Sequence, residues 1–367
     1  MSGPPPARPG ASAAPVLDDP AELARRDPGA MLGEVAGAGD QARVALRAAQ
    51  AAPLVGPLPE VVVVAGMGGS GIAGDVLAAL AFGESAVPVL AVKGDRLPAF
   101  VGPGTLLVAV SYSGDTAETL SAVSQGLAAG ARLVAVTSGG ALAELAASRG
   151  APSVGIEGGR MPRAALWSLA VAVASAAEAA GVLPPLTDQV CAAADALDQE
   201  AAALGPSVAT AANPAKQAAL RLAGRLPVVW GSGQLGAVAA TRFRTQCNEN
   251  AKISVVSGPL PEANHNDVMG LEGGLGQGRE LVLLRDEPGE HERDGRRVQA
   301  VLEALGIGDP LLRTAGSGPP LARLARLTAF ADFTSTYLGI VSGVDPTPIR
   351  TLDQVKEALS ADAGAPR

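Results

Sequence analysis

Aromatic residues make up only 2% of this 367-residue chain, so its cores have to be close packings of short aliphatic side chains rather than stacked rings. Cysteine is nearly absent. Cys191 and Cys247 lie far apart, form no metal-ligand spacing, and read as reduced thiols of a cytoplasmic protein. Histidine is equally scarce, with only His265 and His291 present. Without paired cysteines or a His/Cys/carboxylate cluster at ligand spacing, a metal centre is not expected. An excess of positive charge is missing too: the net charge is −8 and no basic cluster interrupts it. Nucleic acid is therefore excluded as a partner, although a small anion can still be held by local backbone dipoles.

The N-terminal stretch MSGPPPARPGASAAP is Pro-rich and has no apolar core, so residues 1–16 are expected to form a disordered tail rather than a signal peptide. One apolar run, residues 164–183, is long enough to raise the question of a membrane span. It is mostly alanine, carries Glu178 and has no second hydrophobic segment to pair with. A helix buried between layers is the expectation, with no membrane partner.

Hydrophobic residues make up 48% of the chain and charged residues 17%, a composition of folded globular domains. Short helices are expected over 20–51, with the Asp18-Asp19-Pro20 segment capping the first. Next come solid apolar strands at 61–65, 87–92, 106–110, 133–137 and 153–156. They alternate with helical patterns at 72–81, 116–129 and 141–148. Such alternation predicts a parallel sheet covered on both faces.

Leu183-Pro184-Pro185-Leu186 is a natural stop, which divides the chain into 17–183 and 184–367. The second half reads as a helical stretch over 187–223, a strand at 226–230 and a helix over 237–248. It continues with strands at 281–284 and 310–313 and helices at 293–305, 321–339 and 351–359. The pattern strand, Gly-Ser-Gly, helix occurs at 61–80 and again at 226–246. An internal duplication is the economical explanation.

Two strand-to-helix turns carry the functional signal. Gly66-Met67-Gly68-Gly69-Ser70-Gly71 matches G-x-G-x-x-G, and Asp95 is a passable ribose-binding acid, so a dinucleotide site is a legitimate reading. Glycines that merely let strand and helix approach closely would look the same. The second turn, Ser111-Tyr112-Ser113-Gly114-Asp115-Thr116, weighs against the dinucleotide. It gathers the hydroxyls of Ser111, Ser113 and Thr116 at one helix N-terminus, which suits a small dianion. Capping of the helix needs only one such hydroxyl. Gly69, Ser70, Ser111, Ser113 and Thr116 are therefore the candidate phosphate-binding residues. No Gly-Lys-Ser/Thr follows either turn, so transfer from a nucleoside triphosphate is not expected.

For acid–base chemistry the candidates are Glu249, within Cys247-Asn248-Glu249-Asn250-Ala251-Lys252, and His265, within Glu262-Ala263-Asn264-His265-Asn266-Asp267. Asparagines on each side can fix a histidine tautomer and leave it free to move protons. His291, among Glu290, Glu292 and Arg293, reads as a solvated helix start. Arg163, between Pro162 and the Ala-rich helix, reads as a loop arginine or as one fixed to face an anion or enediolate. Lys356, one of four lysines, reads by itself as a solvated helix residue.

Taken together, GMGGSGIAGD, SYSGDTAET, MPR, NENAK and EANHND resemble the bifunctional phosphoglucose/phosphomannose isomerase family, from about residue 40 to the C-terminus. The resemblance implies an α/β fold of two SIS-type (sugar isomerase, flavodoxin-like) three-layer sandwich domains with parallel sheets. It implies a cofactor-free aldose–ketose isomerase acting on glucose 6-phosphate, with mannose 6-phosphate as a further candidate. By the same resemblance Glu249 moves the proton between carbons 2 and 1, and Arg163 stabilises the enediolate. His265 assists ring opening from the partner subunit of a homodimer, and Lys356 belongs to the active site. The alternatives are a non-catalytic sugar-phosphate-binding SIS regulator, which does not need both Glu249 and His265, and a nicotinamide oxidoreductase.

Overall fold

The computed structural model describes residues 14–54, 56–272, 278–286 and 292–363. Its centre is a pair of parallel sheets. The first contains β1 (Val61–Gly66), β2 (Val89–Val92), β3 (Thr105–Val110), β4 (Arg132–Thr137) and β5 (Ser153–Gly155), in the order β2-β1-β3-β4-β5. The second contains β6 (Leu226–Ser232), β7 (Val256–Leu260), β8 (Arg279–Arg285) and β9 (Leu311–Thr314), in the order β7-β6-β8-β9. Both sheets are parallel throughout.

Solid Val/Leu/Ala strands form because helices cover each sheet on both faces, leaving no side to face water. On one face of the first sheet, Val62, Val64 and Val108 pack with the helices Ala38–Ala51, Gly68–Ala81 and Leu166–Ala179. On the other, Val63, Ala65 and Leu107 meet the helices Ala117–Ala128 and Gly140–Ser148. The second sheet repeats the arrangement. Val229, Val282 and Leu284 face the helices Gly233–Gln246 and Pro320–Val341, while Trp230, Leu281 and Leu283 face the helix Glu292–Leu305. Each fully buried Val or Leu contributes about 1.5–3 kcal/mol, so these layers outweigh any local propensity. The fold is the expected α/β three-layer arrangement.

The two halves share turn geometry as well as order. Gly66, Gly68 and Gly71 recur at the same spacing as Gly231, Gly233 and Gly236, with Gly68 at φ +54 and Gly233 at φ +70. A Cβ on Gly231 would overlap the carbonyl oxygen of Gly236, and one on Gly71 would press on Gly66 O at 2.8 Å. These outer glycines serve close strand–helix packing.

Several expectations need correction. The helical stretch 187–223 is two helices, Thr187–Leu204 and Pro214–Leu222, separated by a 3₁₀ turn at Thr210–Ala212. Asn213 caps the second by accepting from the amides of Ala215 and Lys216. The Ala-rich run is a shorter helix, Leu166–Ala179, preceded by a 3₁₀ turn at Pro162–Ala164. Strand β7 is absent from the sequence reading because Gly258 and Pro259 look like loop residues. It is an edge strand paired only with β6, where proline is tolerated.

The expected tail, residues 1–16, lies outside the described residues up to position 13, and Ala14–Asp18 is already a helix. The helix Pro20–Arg26 is capped as expected, by Asp19 accepting from Ala21 and Glu22. Leu17, Leu23, Leu32 and Val35 from this lead-in join the core of the second sheet, not the first. No helix among the described residues is long and apolar enough to cross a membrane.

Candidate active site

In the first sheet the chain leaves β1 toward β2 on one side and later runs from β3 to β4 on the other. Ligands of such sheets bind beyond the C-terminal ends of the strands where the order reverses. Gly66 and Val110 are register partners, so the turns after β1 and β3 start side by side at that point. Neither of the helices that follow, Gly68–Ala81 and Ala117–Ala128, has a side-chain cap at its N-terminus. Two sets of free helical amides therefore lie at neighbouring strand ends, a suitable environment for an anion. A Cβ at Gly68 would meet nothing, which marks the open side of the first turn.

Within the second turn the hydroxyls have separate roles. Ser111 is buried; its Oγ lies 2.8 Å from Thr116 Oγ1 and accepts from the Gly114 amide at 3.0 Å. Gly114, at φ +82, lies so close to Gly139 that a Cβ would overlap its carbonyl oxygen. Ser113 is exposed at the mouth, and its Oγ accepts from the Asp115 amide at 3.3 Å. Neither Ser113 nor Thr116 caps the helix. Tyr112 ties this turn to the segment that precedes Arg163, because its hydroxyl accepts from the Arg160 amide at 2.8 Å. Burial pushes the Tyr112 phenol pKa upward. Gly69 is in contact with the same segment, since its Cβ would lie 3.3 Å from Pro162 O and 3.7 Å from Arg163 Cα.

Arg163 is not a loop arginine facing solvent; it is 3% exposed. Its Nε donates to Asn250 Oδ1 at 2.8 Å, and its Nη2 donates to the carbonyls of Pro346 and Thr347 at 2.7 and 2.8 Å. Nη1 has no hydrogen-bond acceptor and lies 3.7 Å from Glu249 Oε2. Burial lowers the Arg163 pKa and the Glu249 carboxylate opposes that shift. A guanidinium remains charged regardless.

Glu249 stands where the helix Gly233–Gln246 ends in a π turn, Cys247–Ala251, followed by Lys252 at φ +56. Such turns are rare and frequent at functional sites. Here the turn places Glu249, partly exposed, in a cleft of about 700 Å³, and Asn250 in the core. Asn248, Lys252, Asp345, Ile349 and Thr351 also line this cleft. Lys252 Nζ donates to the Glu249 carbonyl and to Pro346 O, and its burial lowers its pKa.

The structure thus brings Arg163 and Glu249 together and sets Gly69 beside Arg163. It does not bring in His265, which is exposed at the end of a 3₁₀ turn, Glu262–Asn264, and does not line the Glu249 cleft. The asparagines do not orient its ring as expected. Asn266 Nδ2 donates to Glu262 and its Oδ1 accepts from the Asp267 amide, while Asn264 Oδ1 is buried without a partner. Lys356 belongs to the helix Arg350–Ala363, whose first turn lines the cleft through Arg350, Thr351 and Leu352; its side chain lies outside the described residues, as does His291. Sequence reading missed Asn250, Lys252 and Asp345. The first two lie in the NENAK motif beside Glu249, and Asp345 opens the turn whose carbonyls grip Arg163. Among the described residues no group of three or more His, Cys, Asp or Glu side chains is placed to hold a metal ion.

Residues 211–359 match the family described as the bacterial phospho-glucose isomerase C-terminal SIS domain. A bifunctional phosphoglucose/phosphomannose isomerase from Caldicellulosiruptor bescii is 33% identical over 309 residues, covering 82% of this chain and 89% of the relative. One of the same description from Thermoplasma acidophilum is 32% identical over 299 residues, again covering 82% and 89%. Among solved structures, a hypothetical protein from Thermus thermophilus superposes with a TM-score of 0.70 at 20% identity, over 98% of this chain and 96% of that one. A glucose-6-phosphate isomerase like protein from the same organism gives 0.60 at 21% identity, over 93% and 98%. These structural likenesses concern the fold, whereas the sequence likeness extends over most of the length of both chains. The chain belongs to the bifunctional phosphoglucose/phosphomannose isomerase family.

Proposed function

We propose that the protein is a metal-free, cofactor-free aldose–ketose isomerase that interconverts glucose 6-phosphate and fructose 6-phosphate, with mannose 6-phosphate as a further substrate. The observation that carries this reading is the pairing of Glu249, in an open cleft, with the spare Nη1 of buried Arg163. The names of its relatives support the same substrates.

The sugar phosphate would lie across the turns after β1 and β3, held by the amides of Gly69 and Ser70, the Ser113 hydroxyl and the Ser111–Thr116 pair. After ring opening, the Glu249 carboxylate removes the proton from carbon 2. The electron pair left behind forms the carbon 1–carbon 2 double bond of a cis-enediolate, whose negative oxygen is balanced by Arg163. Glu249 then delivers a proton, part of it exchanged with solvent, to carbon 1, while the proton of the carbon-2 hydroxyl passes to the carbon-1 oxygen; the ketose results and the carboxylate is regenerated. His265, which does not line the cleft of its own chain, would assist ring opening from the partner of a homodimer, and Lys356 would complete the site. The chain divides into domains at 17–183 and 184–367 and works in the cytoplasm.

The test is an NMR assay of glucose 6-phosphate in deuterated water, without added metal or nicotinamide. Solvent deuterium should enter fructose 6-phosphate, and Glu249→Gln should lower turnover about 10²- to 10⁴-fold. Binding without turnover would instead make the protein a sugar-phosphate regulator. Mixing Glu249→Gln with His265→Ala protein tests the shared site. Recovery of activity is expected on subunit exchange, and none would appear if each chain were self-sufficient.

A further inference from the structure

Arg163 is tethered at its backbone and at its guanidinium, and both tethers lead to Asp332 on the core helix Pro320–Val341. The Asp332 carboxylate takes Arg242 in a bidentate pair, Nε to Oδ1 at 2.8 Å and Nη2 to Oδ2 at 2.9 Å. The same Nη2 donates to the Arg163 carbonyl at 2.6 Å. The second tether starts at the Asp332 carbonyl, which accepts from Ser335 Oγ at 2.9 Å and Thr336 Oγ1 at 2.8 Å. Those hydroxyls lie 3.1 and 3.4 Å from Asn250 Nδ2, and Asn250 Oδ1 accepts from Arg163 Nε at 2.8 Å. Asn250, Ser335 and Thr336 are fully buried.

The direction of each bond follows from the one before it. A Ser or Thr hydroxyl that donates its single proton back along its helix has only lone pairs left. Ser335 and Thr336 can therefore accept from an amide nitrogen but cannot donate to an amide oxygen. Asn250 must turn its Nδ2 toward them, which aims its Oδ1 at Arg163. The guanidinium plane is then set by Asn250 and by the Pro346 and Thr347 carbonyls, leaving Nη1 toward Glu249. A buried ion pair adds little stability over apolar packing, so a closed chain of hydrogen bonds that leaves Nη1 of its arginine without an acceptor is better explained by placement than by stability.

We infer that Asp332, Ser335 and Thr336 are positioning residues for Arg163, acting through Arg242 and Asn250. This inference rests on the isomerase reading and names the residues that keep its electrophile in place. The double variant Ser335→Ala/Thr336→Val removes the acceptors of Asn250 Nδ2 with little change of volume. Its kcat should fall about 10- to 100-fold while KM for glucose 6-phosphate stays unchanged. The Arg163 Nε–H, assigned by its disappearance in Arg163→Lys, should exchange with solvent faster than in wild type. Returning one hydroxyl, in Ser335→Ala/Thr336→Ser, should recover most of the lost kcat. Wild-type kcat in the first double variant would overturn the inference, and so would a loss that the returned hydroxyl does not repair. Absence of turnover in the wild type would sink the isomerase reading itself, an outcome distinct from any difference between variants.

Discussion

Nη1 of Arg163 lies 3.7 Å from Oε2 of Glu249 while the other two guanidinium nitrogens are held by Asn250, Pro346 and Thr347. At that separation the two groups attract without forming a hydrogen bond. The free N–H is available to an oxygen that becomes negative between them.

Arg163→Lys should keep the positive charge and lose the geometry. A lysine has no fork to satisfy three carbonyl oxygens and still face Glu249. We expect kcat to fall about 10²- to 10³-fold, with KM nearly constant, in steady-state assays with glucose 6-phosphate. A wild-type kcat would show that Arg163 does not act on the reacting oxygen.

Ser111→Ala should weaken binding more than turnover. The hydroxyl braces the turn through Thr116 Oγ1 and the Gly114 amide, so its loss loosens the proposed phosphate site. Hydrogen bonds that support a charged ligand are worth about 1.5–3 kcal/mol, which corresponds to a KM increase of roughly 10- to 100-fold. Titration with inorganic phosphate by calorimetry reads the same loss without catalysis. Unchanged phosphate affinity would remove the turn from the site.

Gly68→Ala and Gly231→Ala separate a binding glycine from a packing one. Gly68 has φ +54 but open space, so a Cβ there costs about 1–2 kcal/mol of backbone strain. It should also raise KM, because the helix amides beside it shift. At Gly231 the Cβ overlaps Gly236 O, and overpacking of that kind costs about 1–3 kcal/mol. Urea denaturation should show both losses, with KM altered only in Gly68→Ala.

Alkaline pH should destabilise the protein through Cys247. Its thiol is fully buried, and burial pushes its pKa up. In the unfolded chain a cysteine ionises near pH 8.5, roughly. Above that pH the unfolded state releases a proton that the folded state retains, so stability falls as pH rises. The slope approaches about 1.4 kcal/mol per pH unit and is absent below the unfolded pKa. Denaturation of wild type and Cys247→Ala at about pH 7 and about pH 10 measures it. The difference between the two proteins should move toward the alanine variant at the higher pH; a constant difference would contradict the assignment.

Much of the molecule was legible in one dimension. Val61–Ala65 and Leu106–Val110 declare buried parallel strands because a sheet covered on both faces has no polar side to alternate with. The two glycine turns and the hydroxyls of Ser111, Ser113 and Thr116 are equally plain, since turn conformation and helix-end chemistry depend on neighbours in sequence. Glu249 stood out as the acid of a polar motif. Strand β7 was hidden because an edge position tolerates Pro259, and edge status is a property of the whole sheet.

What only the tertiary structure decided is how Arg163 is placed. Sequence reading left it between a solvent-facing arginine and an anion-facing one, and the fold buries it against Asn250 and the Pro346–Thr347 carbonyls, with Glu249 alongside. Asp332, Ser335 and Thr336 lie in a helix that the sequence marks by its apolar residues, and nothing in the local sequence names their partners. Their partners come from distant segments and meet only when the helices Gly233–Gln246 and Pro320–Val341 pack together. Local periodicity encodes which face of an element is buried, but a hydrogen-bond ring depends on how several buried faces close on one another.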